Sequence, residues 1–169
     1  VLTGSSGIAG TGNALDNTIT GNSGANTLRG HEGNDYIDGG SGNDTMIGGQ
    51  GDDTYIVGST GDVVTELADE GYDSVRSSVT YTLAANVESL TLTGSGAING
   101  TGNSADNILV GNSGKNTLTG LAGDDLLEGK GGVDTLTGGT GNDTYVMART
   151  YGADTVVEND ATSGNLDVV

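Results

Sequence analysis

Large apolar residues recur at every ninth position along two stretches of the chain, and most of them follow a threonine. Alternate side chains of a strand point to opposite faces, so an isolated apolar residue in such a setting predicts a three-residue strand whose middle side chain points inward. The residues between successive strands then form a turn. The recurring apolar residues are Ile19, Leu28, Ile37, Met46 and Tyr55, and then Leu109, Leu118, Leu127, Leu136 and Tyr145.

The turns have their own pattern within nine-residue rows, which begin at residues 12, 21, 30, 39 and 48 and again at 102, 111, 120, 129 and 138. Glycine dominates positions one and four, and Asp or Asn holds position six. Glycine suits such turns because it accepts positive φ without a Cβ clash. Residues 1–57 and 91–147 are identical at 31 aligned positions, which indicates tandem duplication of a unit of about 90 residues.

Composition restricts what such a chain can do. With 33 glycines, no proline, 33% hydrophobic residues and a net charge of -18, it needs either disorder or a counter-ion. Its five Lys and Arg residues cannot neutralise a nucleic-acid backbone, and no apolar run could span a bilayer. The absence of cysteine excludes disulfides, zinc-thiolate sites and thiol catalysis. We therefore expect cationic partners, no nucleic acid and no membrane insertion.

Two rows, GGSGNDTMI from Gly39 and GGQGDDTYI from Gly48, match the pattern G-G-x-G-x-D-x-U-x at every position. The sequence thereby resembles the RTX, haemolysin-type calcium-binding nonapeptide repeats. The resemblance implies an all-β fold, a right-handed parallel β-roll (a β-helix or solenoid) with Ca²⁺ bound in the glycine-rich turns. Two rows would complete one coil, so that rows n and n+2 stack, and four or more calcium ions are expected.

The family pattern also implies which oxygens bind calcium. The lower row contributes the backbone carbonyls of positions two and four and the side chain of position six. The upper row contributes the backbone carbonyls of positions one and three and, again, the side chain of position six. In the first array this implies His31, Gly33 and Asp35 with Gly48, Gln50 and Asp53, and Asn22, Gly24 and Asn26 with Gly39, Ser41 and Asp44. The second array implies Leu121, Gly123 and Asp125 with Gly138, Thr140 and Asp143, and Asn112, Gly114 and Asn116 with Gly129, Gly131 and Asp134.

Three further expectations concern individual rows. A fifth calcium site is expected from Gly40, Gly42 and Asp44 with Val57, Ser59 and Asp62, because that row keeps an acid at position six although its glycines have drifted. An amide ligand such as Asn26 lowers the charge of a site and should weaken it. The first rows depart most from the pattern, which disfavours calcium between rows one and three; the departing residues are Leu15, Asn17, Ala105 and Asn107.

The sequence predicts four regions: a first array over 1–57, intervening strand-rich coils over 58–101, a second array over 102–147 and a truncated closing coil over 148–169. In the intervening region, alternation from Val75 to Leu83, and again at Leu90 and Leu92, predicts strands of about seven to ten residues. These strands either continue the solenoid, which we favour, or form a small sandwich between two rolls. Asp62 to Glu66 resembles Asp154 to Glu158, which predicts a longer coil closing each array.

Single residues offer little catalytic chemistry. The one histidine, His31, lies in a turn without a Ser, Cys or acid constellation, so we expect an exposed side chain. The acids recur by period, as structural ligands do, rather than as a glycosidase pair. Tyr55 and Tyr145 are expected to fill the core. Outward threonines, Thr117 with Thr119 and Thr135 with Thr137, are interpreted as β-propensity rather than an ice-ordering ladder.

We therefore expect a calcium-binding module, itself not an enzyme, that is disordered without calcium and folds on binding it. The resemblance implies type I secretion from a Gram-negative bacterium and a secreted, extracellular or cell-surface location. The chain opens without methionine and is expected to be a piece of a larger parent with flanking domains. Two alternatives stay open: an adhesin segment that binds carbohydrate or ice, or the non-catalytic part of a secreted protease, lipase or polysaccharide epimerase.

Overall fold

The computed structural model describes residues 1–147 and 152–158, and every regular element in them is a β-strand. The predicted all-β class is thus confirmed. In these described ranges seventeen strands follow one another: β1 Ala9–Thr11, β2 Thr18–Thr20, β3 Thr27–Glu32, β4 Tyr36–Asp38, β5 Thr45–Gln50, β6 Thr54–Val57, β7 Val63–Thr65, β8 Ser74–Ser77, β9 Tyr81–Thr82, β10 Ser89–Leu92, β11 Gly100–Thr101, β12 Ile108–Val110, β13 Thr117–Ala122, β14 Leu126–Glu128, β15 Thr135–Thr140, β16 Thr144–Val146 and β17 Thr155–Val156.

The chain forms two compact units. Unit 1 comprises Val1–Val79 with Ala84–Val87, and unit 2 comprises Thr80–Leu83 with Glu88–Val169. Most of the predicted closing coil at 148–169 lies outside the described residues. No helix among the described residues is long and apolar enough to cross a membrane.

Unit 1 winds its strands alternately into two parallel sheets, β1-β3-β5-β7 and β2-β4-β6-β8. The register confirms that rows two apart stack, since Leu28 pairs with Met46 and Ile37 pairs with Tyr55. One coil therefore takes eighteen residues in the repeat region. The strands β7 and β8, which follow the first array, extend the same two sheets.

Unit 2 repeats this arrangement with sheets ordered β10-β12-β14-β16 and β9-β11-β13-β15-β17. Leu109 pairs with Leu127, and Leu118 pairs with Leu136. The paired threonines Thr117 and Thr135 lie side by side on β13 and β15 and are half-buried.

The core of each unit is a column of the eighth-position side chains. All ten are buried, and eight of them have no exposed surface. This confirms the inward orientation that the period predicts, including core positions for Tyr55 and Tyr145. The neighbours on either side of these residues, some polar and some apolar, are exposed or only half-buried. Each coil therefore buries little apolar area.

Strand lengths differ from the prediction in two places. The strands β3, β5, β13 and β15 have six residues rather than three, because pairing continues across the next turn, as between His31 and Gly49. The long strands expected from Val75 to Leu83 and near Leu90 are wrong: β8 has four residues, β9 two and β10 four. β8 ends where the Ser77 hydroxyl donates to the Val79 carbonyl at 2.8 Å, which turns the chain locally.

Candidate metal centre

The position-six aspartates form ladders along the turns of each unit. One carboxylate oxygen, Oδ1, accepts the backbone N–H of the position-six residue two rows earlier. Asp35 accepts from Asn17 at 2.7 Å, Asp53 accepts from Asp35 at 2.7 Å, and Asp125 accepts from Asn107 at 2.7 Å. The bond fixes each side chain and points the other oxygen, Oδ2, into the turn.

In five of these aspartates the second oxygen has no hydrogen-bond partner within the described part of the chain. The Oδ2 atoms of Asp35, Asp44, Asp53, Asp125 and Asp134 are buried and accept no hydrogen bond. Each of the five residues is at most 2% exposed. A buried carboxylate oxygen without a partner costs free energy, so a cation is its natural counterpart.

The first glycine of each row lets these oxygens approach the backbone closely, because it has no Cβ. A Cβ on Gly30 would collide with Asp35 Oδ2 and lie 2.8 Å from the Gly48 carbonyl oxygen. In unit 2, a Cβ on Gly120 would collide with Asp125 Oδ2 and lie 2.5 Å from the Gly138 carbonyl oxygen. Oxygens from rows two apart thus converge beside a missing Cβ, and an all-oxygen donor set suits Ca²⁺.

Burial raises the pKa of these carboxyl groups. Desolvation, reinforced by nearby carboxylates, raises the pKa of Asp53 and of Asp125 to about 7. Desolvation also raises the pKa of Asp35, Asp44 and Asp134. The protein surroundings therefore disfavour the charged form that a calcium ligand requires, and only a cation would restore it.

The site expected from His31, Gly33, Asp35, Gly48, Gln50 and Asp53 has its two carboxylates adjacent and the Gly48 carbonyl beside them. The His31 side chain is exposed, as predicted, and its backbone has a φ of 96°. The Gln50 carbonyl accepts the Gly33 N–H at 2.8 Å, which leaves one lone pair for a cation. The matching site in unit 2 has the same features: Leu121 has a φ of 93°, and the Thr140 carbonyl accepts the Gly123 N–H at 2.9 Å.

The sites expected to use asparagine are arranged differently. Asn26 Oδ1 accepts the Asn22 N–H at 2.8 Å, and Asn26 Nδ2 donates to the Ile8 carbonyl at 3.0 Å. Asn116 does the same in unit 2, with the Asn112 N–H at 2.8 Å and the Ile98 carbonyl at 2.6 Å. The amide satisfies these turns from within the protein, so the geometry favours the aspartate-only sites as calcium positions.

The position-two asparagines reinforce this closed arrangement. Asn22 Nδ2 donates to the carbonyls of Thr3 and Ser6, and Asn112 Nδ2 donates to that of Gly96 at 3.0 Å. The Asn22 carbonyl, an expected ligand, accepts the Ser41 N–H at 3.0 Å.

The fifth expected site ends on an aspartate whose oxygens are both engaged. Asp62 Oδ1 accepts the Asp44 N–H at 2.9 Å, and Asp62 Oδ2 accepts the N–H groups of Gly58 and Ser59 at 3.0 and 2.9 Å. Asp44 keeps an open Oδ2, so this turn offers one unengaged carboxylate oxygen rather than two.

Two acidic residues outside the nonapeptide rows also face the ladder. Asp73 Oδ1 accepts the Asp53 N–H at 2.8 Å, and the Tyr55 hydroxyl donates to Glu66 Oε1. Sequence reasoning missed Asp73 because it follows Asp53 by twenty residues rather than eighteen. A signal existed: Asp154 follows Asp134 by the same twenty residues and accepts its N–H at 3.0 Å. Tyr145 likewise donates to Glu158, at 2.8 Å.

Comparison with known proteins agrees with this geometry. A stretch of 46 residues, 27% of the chain, is 52% identical to the endo-1,3-1,4-beta-glycanase ExsH of Rhizobium meliloti (strain 1021). The chain covers 10% of the length of that relative. The family described as RTX calcium-binding nonapeptide repeat (4 copies) matches at residues 11–46, 20–55, 32–64, 101–136 and 110–145, which together make up more than half of the chain. With rows two apart stacked and open carboxylate oxygens in their turns, the chain belongs to the RTX calcium-binding nonapeptide repeat family.

Proposed function

We propose that this module folds on binding calcium outside the cell and so supports the export and stability of a larger protein. The observation that carries the proposal is the set of buried, unpartnered carboxylate oxygens in the turns, at Asp35, Asp44 and Asp53 in unit 1 and at Asp125 and Asp134 in unit 2. Each oxygen lies where rows two apart meet. An ion bound there would tie one coil to the next.

The coupling to folding follows from the charges. When bound, Ca²⁺ supplies positive charge and accepts six to eight oxygen ligands. Those oxygens come together only when the coils are wound, since Asp35 and Asp53 are eighteen residues apart. The unfolded chain holds no preformed site, so the free energy of binding becomes free energy of folding. Without the ion, winding would bury carboxylates of like charge against one another.

Export fits this behaviour. A chain that stays unfolded at low cytosolic calcium can be threaded through a secretion apparatus and can wind up in the calcium-rich exterior. The net charge of -18 favours such a calcium-free disordered state. Without cysteine, no disulfide can close the chain before export. We therefore infer a secreted module of a type I exported protein, in which calcium ions occupy the aspartate turns.

The test is a far-UV circular dichroism titration of metal-free chain with CaCl₂, and separately with MgCl₂. We expect a cooperative gain of β signal with Ca²⁺ and a much weaker response to Mg²⁺, which demands smaller octahedral sites. A β signal already complete in metal-free buffer would contradict folding on calcium.

The partial likeness to a glycanase favours a parent protein that acts on polysaccharide. The shared segment is short, so the proposal concerns the domains that flank this module in the parent protein and not an activity of the module itself. Reading the coding sequence on both sides of the module tests it. A glycan-hydrolysing domain in the same reading frame is the expected result, and a protease or lipase domain there would contradict it.

A further inference from the structure

Three buried carboxylates converge at the end of the first array, where the last nonapeptide row meets the coil formed by residues 58–73, the closing coil of unit 1. Asp53, Glu66 and Asp73 each place one carboxylate oxygen within 4.8 Å of those of the other two. Asp53 is 1% exposed, Glu66 6% and Asp73 1%. Among the described residues this is the one such group of three possible metal-binding side chains. Glu66 belongs to none of the nonapeptide rows.

The side chains are held with oxygens to spare. Asp53 Oδ1 accepts the Asp35 N–H at 2.7 Å, and Glu66 Oε1 accepts the Tyr55 hydroxyl. Asp53 Oδ2 and Glu66 Oε2 are buried and accept no hydrogen bond. Each of these two carboxylates thus has one oxygen held by the protein and the other without a hydrogen-bond partner, in a group whose carboxylate oxygens lie within 4.8 Å of one another. Such fixed side chains are oriented before an ion arrives.

The local electrostatics call for a cation. Desolvation, then the charges of Asp73 and Asp53, raises the pKa of Glu66 to about 8, against a backbone hydrogen bond from Gly49. The charged groups that act on Asp53 are Asp73, Asp35 and Glu70, which are all acidic. Three carboxylates at this separation repel one another strongly in a buried setting, and a multivalent cation removes that repulsion.

We propose that Asp53, Glu66 and Asp73 form a calcium site that lies outside the nonapeptide pattern and closes unit 1. The donors are oxygens only, which suits a hard cation. With three carboxylates the site carries more charge than an aspartate turn that pairs two, so it binds calcium more tightly than the repeat turns do. The identification of the ion as calcium rests on the proposed function. The convergence of the three carboxylates is observed independently of that function.

The experiment compares Glu66→Gln with wild type and with Asp69→Asn in the full 169-residue chain. The glutamine side chain keeps an oxygen that can accept the Tyr55 hydroxyl, so this substitution removes charge and ligand strength and preserves the hydrogen bond. Asp69 is exposed in the same connection and loses the same charge when changed, which makes it the matched control. Calcium binding is measured by isothermal titration calorimetry, and folding at saturating calcium by circular dichroism.

We expect Glu66→Gln to bind one calcium ion fewer, or to lose about tenfold in affinity at the tightest class of sites, with Asp69→Asn unchanged. Equal stoichiometry and affinity in Glu66→Gln and Asp69→Asn would overturn the proposal and leave the calcium-folding function intact. A wild-type chain that binds no calcium would overturn both.

A second readout covers the case in which Glu66→Gln fails to fold. Tb³⁺ replaces Ca²⁺ in oxygen sites and emits when a nearby tyrosine is excited, and the Tyr55 hydroxyl contacts Glu66 directly. We expect Glu66→Asp, which keeps the charge, to fold and to retain tyrosine-sensitised emission at reduced Tb³⁺ affinity. Emission that titrates identically in wild type and Glu66→Asp would overturn the assignment of Glu66 as a ligand.

Discussion

The asparagine turns and the aspartate turns of each array both place a side-chain oxygen of position six beside the first glycine of the row. The two kinds of side chain differ in the hydrogen bonds that they make. In the second row, Asn26 Oδ1 takes a backbone N–H of its own turn, and its Nδ2 donates to the preceding coil. In the third row, Asp35 uses one oxygen to accept the N–H of Asn17 and leaves the other buried and unpartnered. The amide has an N–H donor that bonds to the preceding coil, whereas the buried carboxylate has no donor and needs a bound cation to balance its charge.

Backbone conformation differs in step with this chemistry. Positions two and four have positive φ in the third row, with 96° at His31 and 102° at Gly33, and likewise in unit 2, with 93° at Leu121 and 111° at Gly123. The asparagine rows use an Asx-type turn instead, in which Asn22 Oδ1 accepts the Gly24 N–H at 2.8 Å. The comparison predicts that each array begins with turns that fold without metal and continues with turns that need calcium.

The largest expected effect comes from removing two aspartate ligands together. Asp35→Ala with Asp53→Ala should raise the calcium concentration at the folding midpoint by more than about tenfold, because both carboxylates of one turn are lost. Asn17→Ala, in the first row, should shift the midpoint far less. Circular dichroism titrations give both values. Equal shifts would mean that the assigned register of calcium turns is wrong.

Adding a Cβ at the first glycine of a row should have the next largest effect. Gly30→Ala would place a Cβ against Asp35 Oδ2 and near the Gly48 carbonyl, at a cost of about 1–3 kcal/mol in calcium-bound stability. Gly96→Ala is the control, since its Cβ would meet nothing within 4 Å. Urea unfolding at saturating calcium measures the difference. An equal effect of the two substitutions would show that the close approach of Asp35 to Gly30 does not contribute to stability.

In the absence of metal, the stability of the aspartate turns should depend on pH, which the uncharged asparagine side chains do not impose on their own turns. The folded pKa values of Asp53 and Asp125, about 7, lie above their ordinary value of 3.8. Their contribution to the stability of the wound state is therefore complete below the ordinary pKa and is lost as pH rises through about 7. Chain stripped of metal by a chelating resin should show more β signal at pH 5 than at pH 8. A signal that rises with pH would contradict the sign.

The smallest effect tests the asparagine turns directly. Asn116→Asp retains an oxygen for the Asn112 N–H but loses the donation to the Ile98 carbonyl, worth about 1 kcal/mol. We expect unit 2 to need slightly more calcium to fold. Thermal melts at low and at saturating calcium measure the change, and Asn103→Asp, in the row before, serves as a comparison. A melt of Asn116→Asp that is unchanged at low calcium would mean that the amide donation contributes nothing.

Prediction from sequence succeeded where the period is strict. The buried column from Leu28 to Tyr55 follows from nine-residue spacing, because two rows make one coil and bring every eighth position inward. It failed where the spacing changes. Asp73 joins the ladder after a twenty-residue coil, and no count in nines reaches it. The strand expected from Val75 to Leu83 also failed, because alternation does not show that the Ser77 hydroxyl bonds to Val79 and ends the strand.

The sequence by itself determined the coil, the inward residues and the oxygen-rich chemistry of the turns, since these depend on local period and residue type. Only the tertiary structure decided which oxygens stay open. Asn26 and Asp35 both hold position six, but the Ile8 carbonyl that engages the Asn26 amide lies eighteen residues earlier in the chain. The convergence of Glu66 on Asp53 likewise depends on how the closing coil packs against the last row. Contacts between coils assign those partners, and no local pattern encodes them.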